Sequence, residues 1–289
     1  MAEAFLTRTV RCAVNPAPAS WPVQRVIEDA TRESSEGRNG FAARPGPRGL
    51  ARYYEFDARC VGQPDARTGY LLNIKDIDEA FRGTAFLKLV EACHVDPLQD
   101  ASTLLVTMAR ALGQRLDDRH GVRLDGLCWR LTPVTTLEAR MSGSGTQDAV
   151  PRVVWRQRFD FAAAHRLHCG DLSDEENRRV FGRCNNPAGH GHNYRVEPAV
   201  SAEPGAVRLA DIERVVDETI IDPFDHTHLN LDTAEFGDAG VNPSVENIAR
   251  VFFDRLRPRV AEAFAGRAEL TAVTVWETDR TSCTYPAGA

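Results

Sequence analysis

The sequence lacks the features that mark several large protein classes. No run of it reaches the roughly 18 consecutive apolar residues that a membrane-spanning helix needs. The opening MAEAFLTRTVRCAV has no charged segment followed by a long apolar stretch. Its only lysines are Lys75 and Lys88, and the formal net charge of -6 argues against a general nucleic-acid binder, which needs a basic face. We therefore expect a cytoplasmic protein with neither a membrane nor a nucleic-acid partner.

Cysteine is present, but not in a pattern that predicts disulfide bonds. The chain has seven cysteines, an odd number, and no C-x-x-C pair. Hydrophobic residues make up 43% of the 289 residues and charged residues 26%, which is an ordinary globular balance. This composition excludes a disordered chain, and the length allows one large or two compact domains.

One order of elements is predicted twice along the chain. In the second half, the periodicity predicts two strands, two helices and two strands, at 152–164, 190–200, 209–221, 243–260, 268–277 and 281–285. In the first half the same order falls at 5–14, 51–62, 74–93, 101–116, 122–132 and 135–141. The Gly/Ser-rich segment Met141–Pro151 is the predicted linker, and residues 31–50 are predicted to form a mobile loop. We therefore predict an α+β fold of two tandem ββααββ modules, spanning 1–145 and 152–289.

Six of the eight histidines lie in the second half, and three of them have the spacing of metal ligands. His190 and His192 are two residues apart on a predicted strand, so their side chains leave the same face. His165 ends the preceding strand, and antiparallel pairing of the two strands would bring all three imidazoles together. Three nitrogen ligands with an open fourth position are typical of a catalytic zinc site.

Two further groups near these histidines can move protons. Cys184 lies six residues before His190, where a nearby cation would favour its thiolate, although a fourth metal-ligand role stays open. Asp225 and His226 place a carboxylate beside an imidazole, which suits proton transfer. Taken alone, such a pair is more often only a cap or a turn.

The motifs FDFAAAHRL, GRCNNPAGHGHNYRV, FDHTHLN, NPSVENIA and VTVWETD occur in this order between residues 152 and 289. Together they resemble the 6-pyruvoyl-tetrahydropterin synthase family, which includes the 6-carboxy-tetrahydropterin synthases. The resemblance implies the T-fold, an antiparallel four-stranded sheet backed by two helices. It also implies a homo-oligomer, for which we favour a trimer.

The resemblance assigns roles to the candidate residues. His165, His190 and His192 would bind Zn2+, Cys184 would abstract a proton, and the Asp225–His226 pair would transfer another. Glu277 would anchor the pterin, because a carboxylate can accept two parallel hydrogen bonds from an aminopyrimidine edge, with Thr278 as a weaker candidate. In the family, the cysteine and the Asp-His pair of one site come from neighbouring modules, so the active site would be shared between chains.

The implied reaction converts 7,8-dihydroneopterin triphosphate to 6-pyruvoyl-tetrahydropterin with elimination of triphosphate. The five residues between Cys184 and His190 favour this product, since the carboxy-forming enzymes usually have three there. Two features of this chain depart from the family pattern. The segment EPGAVRLADIE is shorter than the family's Thr-Gly-hydrophobic segment, and Pro198 lies within a predicted strand, which suits an edge or a bulge. A 6-carboxy-tetrahydropterin synthase and a non-catalytic zinc or pterin-binding scaffold are the alternatives.

We expect the first half to be a degenerate, non-catalytic module. Its second strand has Tyr53-Tyr54-Glu55 in place of H-x-H, and Leu131 stands where Glu277 would be. The sequence therefore predicts one zinc ion per chain, held by the second module.

Overall fold

The computed structural model of the chain describes residues 2–32, 39–141, 152–237 and 239–288. Apart from Met141, the predicted linker lies outside these described residues. The chain divides into two compact units. The first unit comprises Met1–Val154 with Glu203–Gly205, and the second comprises Trp155–Ala202 with Ala206–Ala289.

The first unit is built on a four-stranded antiparallel sheet, in the order β1-β2-β3-β4. Its strands are β1 (Ala4–Val14), β2 (Arg52–Gly62), β3 (Arg123–Arg130) and β4 (Thr135–Arg140). Its helices are α1 (Val23–Arg32), α2 (Ile74–Gly83), α3 (Ala85–Val95) and α4 (Ala101–His120).

Two helices of the first unit differ from the prediction. The single helix predicted over 74–93 is two helices, because Thr84 leaves the helical conformation with φ -138°. Gly83 and the β-branched Thr84 are weak helix formers, and the Thr84 hydroxyl donates to the Ala80 carbonyl at 2.6 Å instead of continuing the helix. Helix α1 was not predicted at all. Of the predicted loop, residues 39–50 are irregular but hydrogen-bonded to β1, with Ala13 donating to the Pro45 carbonyl.

The second unit has the antiparallel order β6-β7-β9-β10. Strand β5 (Val153–Gln157) begins in the first unit and ends in the second. The other strands of the second unit are β6 (Phe159–His165), β7 (His190–Ala202), β8 (Thr227–His228), β9 (Ala268–Thr278) and β10 (Thr281–Tyr285). Its helices are α5 (Asp174–Phe181), α6 (Leu209–Val216), α7 (Asp222–Phe224), α8 (Leu229–Asp232) and α9 (Val245–Ala263). Strand β8 runs parallel to β6. Both units thus combine helices with an antiparallel sheet, which is the predicted α+β class.

The strands of the second unit show where the predicted pattern breaks. The strand predicted over 152–164 is divided at Arg158 into β5 and β6. Pro198 lies on β7 beyond the last residue paired with β6, and a bulge follows between Ala199 and Val200. Because proline has no N–H to donate, this interruption accommodates it. The sequence left an edge or a bulge open for Pro198; in the structure Pro198 stays in register with Val273, and the bulge comes after the next residue.

Aromatic packing holds the sheet of the second unit against its long helix. The rings of Phe161 and Tyr194, on neighbouring strands, stack 5.0 Å apart. Phe252 of α9 packs 5.5 Å from Phe161 and 4.9 Å from Phe224. These fully or almost fully buried rings fix the ends of β6 and β7 where the histidines lie. Among the described residues, no helix combines the length and the apolarity needed to cross a membrane.

Candidate metal centre and active site

The antiparallel pairing of β6 and β7 brings the three histidines together. His165 lies directly opposite His190, and His192 pairs with Ala163 two residues along. One ligand atom from each imidazole lies within 4.8 Å of the other two. The strand pairing predicted from the spacing is therefore confirmed.

His165 is the most constrained of the three. Its side chain is fully buried, and its Nδ1 lies 2.7 Å from the Pro243 carbonyl oxygen. Because a carbonyl oxygen only accepts, Nδ1 carries the proton and Nε2 keeps its lone pair. Burial lowers the pKa of His165 to about 4, and the charges of His190 and His192 oppose its protonation further. The ring is thus neutral at physiological pH, which is the form that binds a metal.

The nitrogen positions fit a metal ion. Nε2 of His165 lies 3.1 Å from Nε2 of His190, and two nitrogens on a tetrahedral zinc at about 2.0–2.1 Å would be about 3.3–3.4 Å apart. Within the described part of the chain, Nε2 of His192 is buried without a hydrogen-bond partner. Burial also lowers the pKa of His192. Three converging imidazoles, with Nε2 of His192 buried and unpartnered, form a site that could hold a metal ion.

Glu277 lies beside this cluster. Its Oε1 is 3.4 Å from Nε2 of His165 and 3.7 Å from Nε2 of His192, and the side chain is 19% exposed. The carboxylate therefore borders the metal position and still reaches solvent. Thr278 is exposed at the turn after β9, where its hydroxyl accepts from the Arg280 backbone N–H at 3.1 Å.

Cys184 is held next to the end of β6 by its backbone. The carbonyl of Cys184 accepts from the Leu167 N–H at 2.9 Å. The neighbouring Asn185 is almost fully buried and donates to the Leu167 carbonyl at 2.8 Å. In the described residues, the thiol does not join the three-histidine cluster. This geometry disfavours Cys184 as a fourth ligand.

The side chain of Cys184 nevertheless lies within electrostatic range of the site. Burial raises the pKa of Tyr194, and the charges of Glu277 and of a Cys184 thiolate raise it further. The Tyr194 hydroxyl in turn lies 3.3 Å from Nδ1 of His165. Tyr194 therefore lies between the histidine cluster and the side of the unit that carries Cys184 only in the electrostatic sense, whereas its contact with His165 is direct.

Asp225 and His226 form a pair, as the sequence suggested, but at the outer edge of β6. Oδ2 of Asp225 lies 2.8 Å from Nδ1 of His226, and Oδ1 accepts from the Ala162 N–H at 2.8 Å. The Ala162 hydrogen bond, followed by the His226 ring, lowers the pKa of Asp225. The His226 side chain is 82% exposed. The pair is thus fixed by its hydrogen bond to Ala162 of β6, but the His226 ring faces outward.

Sequence reasoning missed several residues that support the cluster. Gly189 has a φ of +71°, and a Cβ there would lie 2.6 Å from Nε2 of His228 and 2.9 Å from the His165 carbonyl oxygen. Only glycine fits so close an approach in this conformation. The Pro243 carbonyl was also missed, because nothing in the local pattern places α9's start against His165.

A cleft of about 730 Å3 borders this region. Its walls include Arg166, His168, His228, Asn230 and Phe236. His228 links the cleft to the histidine cluster, because it contacts Gly189 on one side. This volume is in the range of small-molecule sites.

The corresponding strand ends of the first unit have different side chains. Strand β2 has a bulge between Arg59 and Cys60, as β7 has between Ala199 and Val200. Counting back from these bulges sets Arg52, the first residue of β2, at the position of His192. The same count reaches Leu50, in the turn before β2, for His190.

Two further positions follow from the same register. Arg52 pairs with Val14, as His192 pairs with Ala163, so Pro16 takes the position of His165. Leu50 and Arg52, rather than Tyr53-Tyr54-Glu55, thus stand in place of H-x-H. Leu131 corresponds to Glu277, as the sequence suggested.

Comparison with known proteins identifies the family to which the second unit is similar. Residues 154–287 match the family 6-pyruvoyl tetrahydropterin synthase. The human 6-pyruvoyl tetrahydrobiopterin synthase is 40% identical over 134 residues, which are 45% of this chain and 88% of that protein. The Haemophilus influenzae 6-carboxy-5,6,7,8-tetrahydropterin synthase is 25% identical over 153 residues, covering 45% and 95%.

A solved structure of the Caenorhabditis elegans 6-pyruvoyl tetrahydropterin synthase superimposes with a TM-score of 0.43 at 33% identity. It covers 47% of this chain and 96% of that one. The sequence relationships in particular extend over nearly the whole length of these relatives. The chain belongs to the 6-pyruvoyl tetrahydropterin synthase family and is an enzyme of the lyase class.

Proposed function

We propose that the second unit converts 7,8-dihydroneopterin triphosphate to 6-pyruvoyl-tetrahydropterin, with elimination of triphosphate and with Zn2+ as cofactor. The observation that carries the proposal is the convergence of three imidazoles beside Glu277. It occurs in a chain 40% identical to the human 6-pyruvoyl tetrahydrobiopterin synthase. The reaction would place the enzyme in tetrahydrobiopterin biosynthesis.

His165, His190 and His192 would hold the zinc ion. The donor set favours zinc, because three imidazoles with an open position are typical of catalytic zinc sites. When bound, the ion supplies Lewis acidity and a position for the substrate's side-chain hydroxyls. The Pro243 carbonyl would keep His165 in the ligating tautomer, since it accepts the Nδ1 proton.

The remaining residues would bind the substrate and move its protons. Cys184 would remove a proton from the side-chain carbon, and the Asp225–His226 pair would transfer another. Glu277 would accept hydrogen bonds from the pterin's aminopyrimidine edge, which requires its carboxylate to turn from the histidines toward the ligand. Thr278, next along β9, would lie at the rim of the pterin site.

The pyruvoyl product is favoured over the carboxy product on two grounds. Five residues separate Cys184 from His190, which sets how far the thiolate reaches along the substrate side chain. The human pyruvoyl-named relative is also more similar than the carboxy-named relative from Haemophilus influenzae, at 40% against 25% identity. A 6-carboxy-tetrahydropterin synthase remains the second candidate because of the shortened EPGAVRLADIE rim.

The test is incubation of the zinc-loaded full chain with 7,8-dihydroneopterin triphosphate. We expect the mass of 6-pyruvoyl-tetrahydropterin and release of triphosphate, with no acetaldehyde. Stoichiometric acetaldehyde would instead assign the carboxy reaction. Absence of turnover, in a protein that binds zinc and pterin, would assign a non-catalytic scaffold.

The outward position of His226 supports an active site shared between chains. Its 82% exposed ring leaves the pair available to the site of a neighbouring copy. We therefore propose a homo-oligomer, with a trimer as the favoured form. Mixing Cys184→Ala and His226→Ala subunits should restore part of the activity through hybrid sites. No recovery in verified mixed oligomers would contradict sharing.

The first unit would be a degenerate copy of the same module, spanning about 1–145, with the catalytic module at 152–289. The matching bulges of β2 and β7 support a tandem duplication. Without the three histidines or a counterpart of Glu277, this copy would not be catalytic. Within the described residues the cysteines form no disulfide bond, which agrees with a reducing, cytoplasmic compartment.

A further inference from the structure

The first unit has a cleft at the positions that correspond to the metal ligands of the second. The cleft has a volume of about 400 Å3, and its lining includes Pro16, Leu50 and Arg52. Arg52, the first residue of β2, takes the position of His192, whereas Pro16 and Leu50 lie just outside β1 and β2 and correspond to His165 and His190 only by counting along the chain. The duplicated sheet thus retains a cavity at this end although its metal-binding side chains are absent.

The walls of this cleft combine a cation with apolar surface. Arg52 is exposed at the start of β2, and His94 on α3 is the second basic residue of the lining. The apolar lining consists of Val14, Pro16, Ala17, Ala19, Val26, Leu50 and Val90. Among the described lining residues there is no aspartate or glutamate. A negatively charged group entering the cleft would therefore meet no carboxylate that repels it.

Two polar side chains of the cleft lining, Cys93 and His94, have fixed partners. The Tyr54 hydroxyl lies 3.2 Å from Sγ of Cys93. Burial and Cys93 raise the pKa of Tyr54, whereas Arg52 acts in the opposite direction as a nearby cation. His94 donates its Nε2 proton to the Trp21 carbonyl at 2.9 Å, which ties α3 to the segment before α1. These contacts restrain Cys93 and His94, which line the cleft together with Arg52.

A pterin does not fit this chemistry. Leu131 occupies the position of Glu277 and offers no acceptor for an aminopyrimidine edge. The guanidinium of Arg52 instead presents several N–H donors in a planar arrangement that matches carboxylate and phosphate oxygens. The cleft of the first unit thus lacks the acceptor that Glu277 supplies in the second unit, and it has a positive charge where the second unit has His192.

We propose that this cleft binds a small organic anion without any metal. The carboxylate or phosphate of the ligand pairs with Arg52, and its apolar body packs against Val26, Leu50 and Val90. A volume near 400 Å3 accommodates a molecule of about the size of an aromatic acid. The first unit is then a ligand-binding module attached to the catalytic one.

The test uses benzoate and phenyl phosphate as the carboxylate and phosphate probes, with benzyl alcohol as the neutral control. Calorimetric titration of the full, zinc-loaded chain measures binding, and alkylation of Cys93 by iodoacetamide, followed by peptide mass spectrometry, locates it. We expect at least one anion to bind and to protect Cys93, and benzyl alcohol to do neither. Whichever probe binds more tightly identifies the anionic group.

Variants separate this cleft from the metal centre. Arg52→Gln should weaken anion binding roughly tenfold or more, because a charge-assisted hydrogen bond is lost. Ala17→Phe should abolish binding by filling the cleft. Arg110→Gln, an exposed arginine on α4 outside the cleft, should bind like the wild type.

Absence of binding by both anions would overturn the proposal, as would equal binding of benzyl alcohol or unchanged affinity in Arg52→Gln. Thermal melting of each variant controls for misfolding. These readouts do not involve pterin turnover, so their failure leaves the assignment of the catalytic unit unaffected.

Discussion

The two units place different side chains at the same ends of the same kind of sheet. In the second unit, His165, His190 and His192 converge where β6 meets β7. At the matching positions, the first unit has Pro16, Leu50 and Arg52, which line a cleft and cannot together bind a metal. The antiparallel pairing of two strands thus sets the position of the site, and the three side chains at that position determine whether it can bind a metal.

The units also differ in the residues that support the three histidines. His165 is positioned by the Pro243 carbonyl, and Gly189 lets His228 approach His165 closely. A metal centre therefore depends on residues that ligand spacing alone does not reveal. Substituting histidines into the first unit would not reproduce the site without comparable support.

The largest effect should follow from removing a ligand of the second unit. His192→Ala should lose the bound metal and lower turnover by roughly a thousandfold or more, since metal-ion catalysis contributes several kcal/mol. Metal analysis and steady-state assay measure both. His120→Ala, which removes an exposed histidine at the end of α4, is the matched control and should change neither. Retained metal and activity in His192→Ala would refute the ligand assignment.

Cys184→Ala should separate catalysis from metal binding. We expect the metal to remain, because the thiol does not join the histidine cluster, and turnover to fall roughly 10²- to 10⁴-fold as a proton-transfer group is lost. Cys169→Ala, a cysteine near the same loop, should keep full activity. If Cys184→Ala loses its metal, the thiol is a ligand after all.

Glu277→Gln distinguishes a substrate anchor from a metal ligand. The amide keeps the shape of the side chain but loses the charge that strengthens its hydrogen bonds, so KM should rise roughly 10- to 100-fold while the metal stays bound. Leu131→Glu, the reverse change in the first unit, should leave KM and metal content at their wild-type values. A Glu277→Gln protein without metal would show that the carboxylate completes the coordination.

The smallest effects are expected at two helix starts that are matched between the units. The side chain of Asp100 caps α4 by accepting from the Thr103 N–H at 2.8 Å, and Ser244 caps α9 by accepting from the Asn247 N–H at 3.4 Å. Replacing either by Ala should cost about 1 kcal/mol and lower the Tm by about 2–4 °C. Because Asp100 makes the shorter bond, its loss should be the larger of the two. A change in metal content in either variant would show that the site depends on more than its local strands.

Much of the fold was predictable because its signals are local. The alternation of residues 190–200 predicts β7, and Ser244 followed by apolar residues at helical spacing predicts α9. The break at Thr84 was missed, since the apolar pattern continues through it and only weak propensities oppose the helix. Helix α1 was missed in a stretch with many Pro and Ala residues, where the pattern is short.

The site was predictable where strand geometry alone determines it. H-x-H on one strand and a histidine at the end of its neighbour suffice to bring three imidazoles together. The sequence could not show that Glu277 lies 3.4 Å from His165, nor that His226 faces outward. Both depend on the packing of distant segments. The register that sets Arg52 opposite Val14 was equally invisible, because bulges shift strand pairing without a clear local signal.

The ratio of zinc to chain, measured by elemental analysis of the purified full-length protein, tests the contrast between the units most directly. We predict one zinc ion per chain in the wild type and none in His190→Ala. A ratio near two would show that the first unit also binds metal. A ratio near zero after loading with zinc would contradict the metal centre itself.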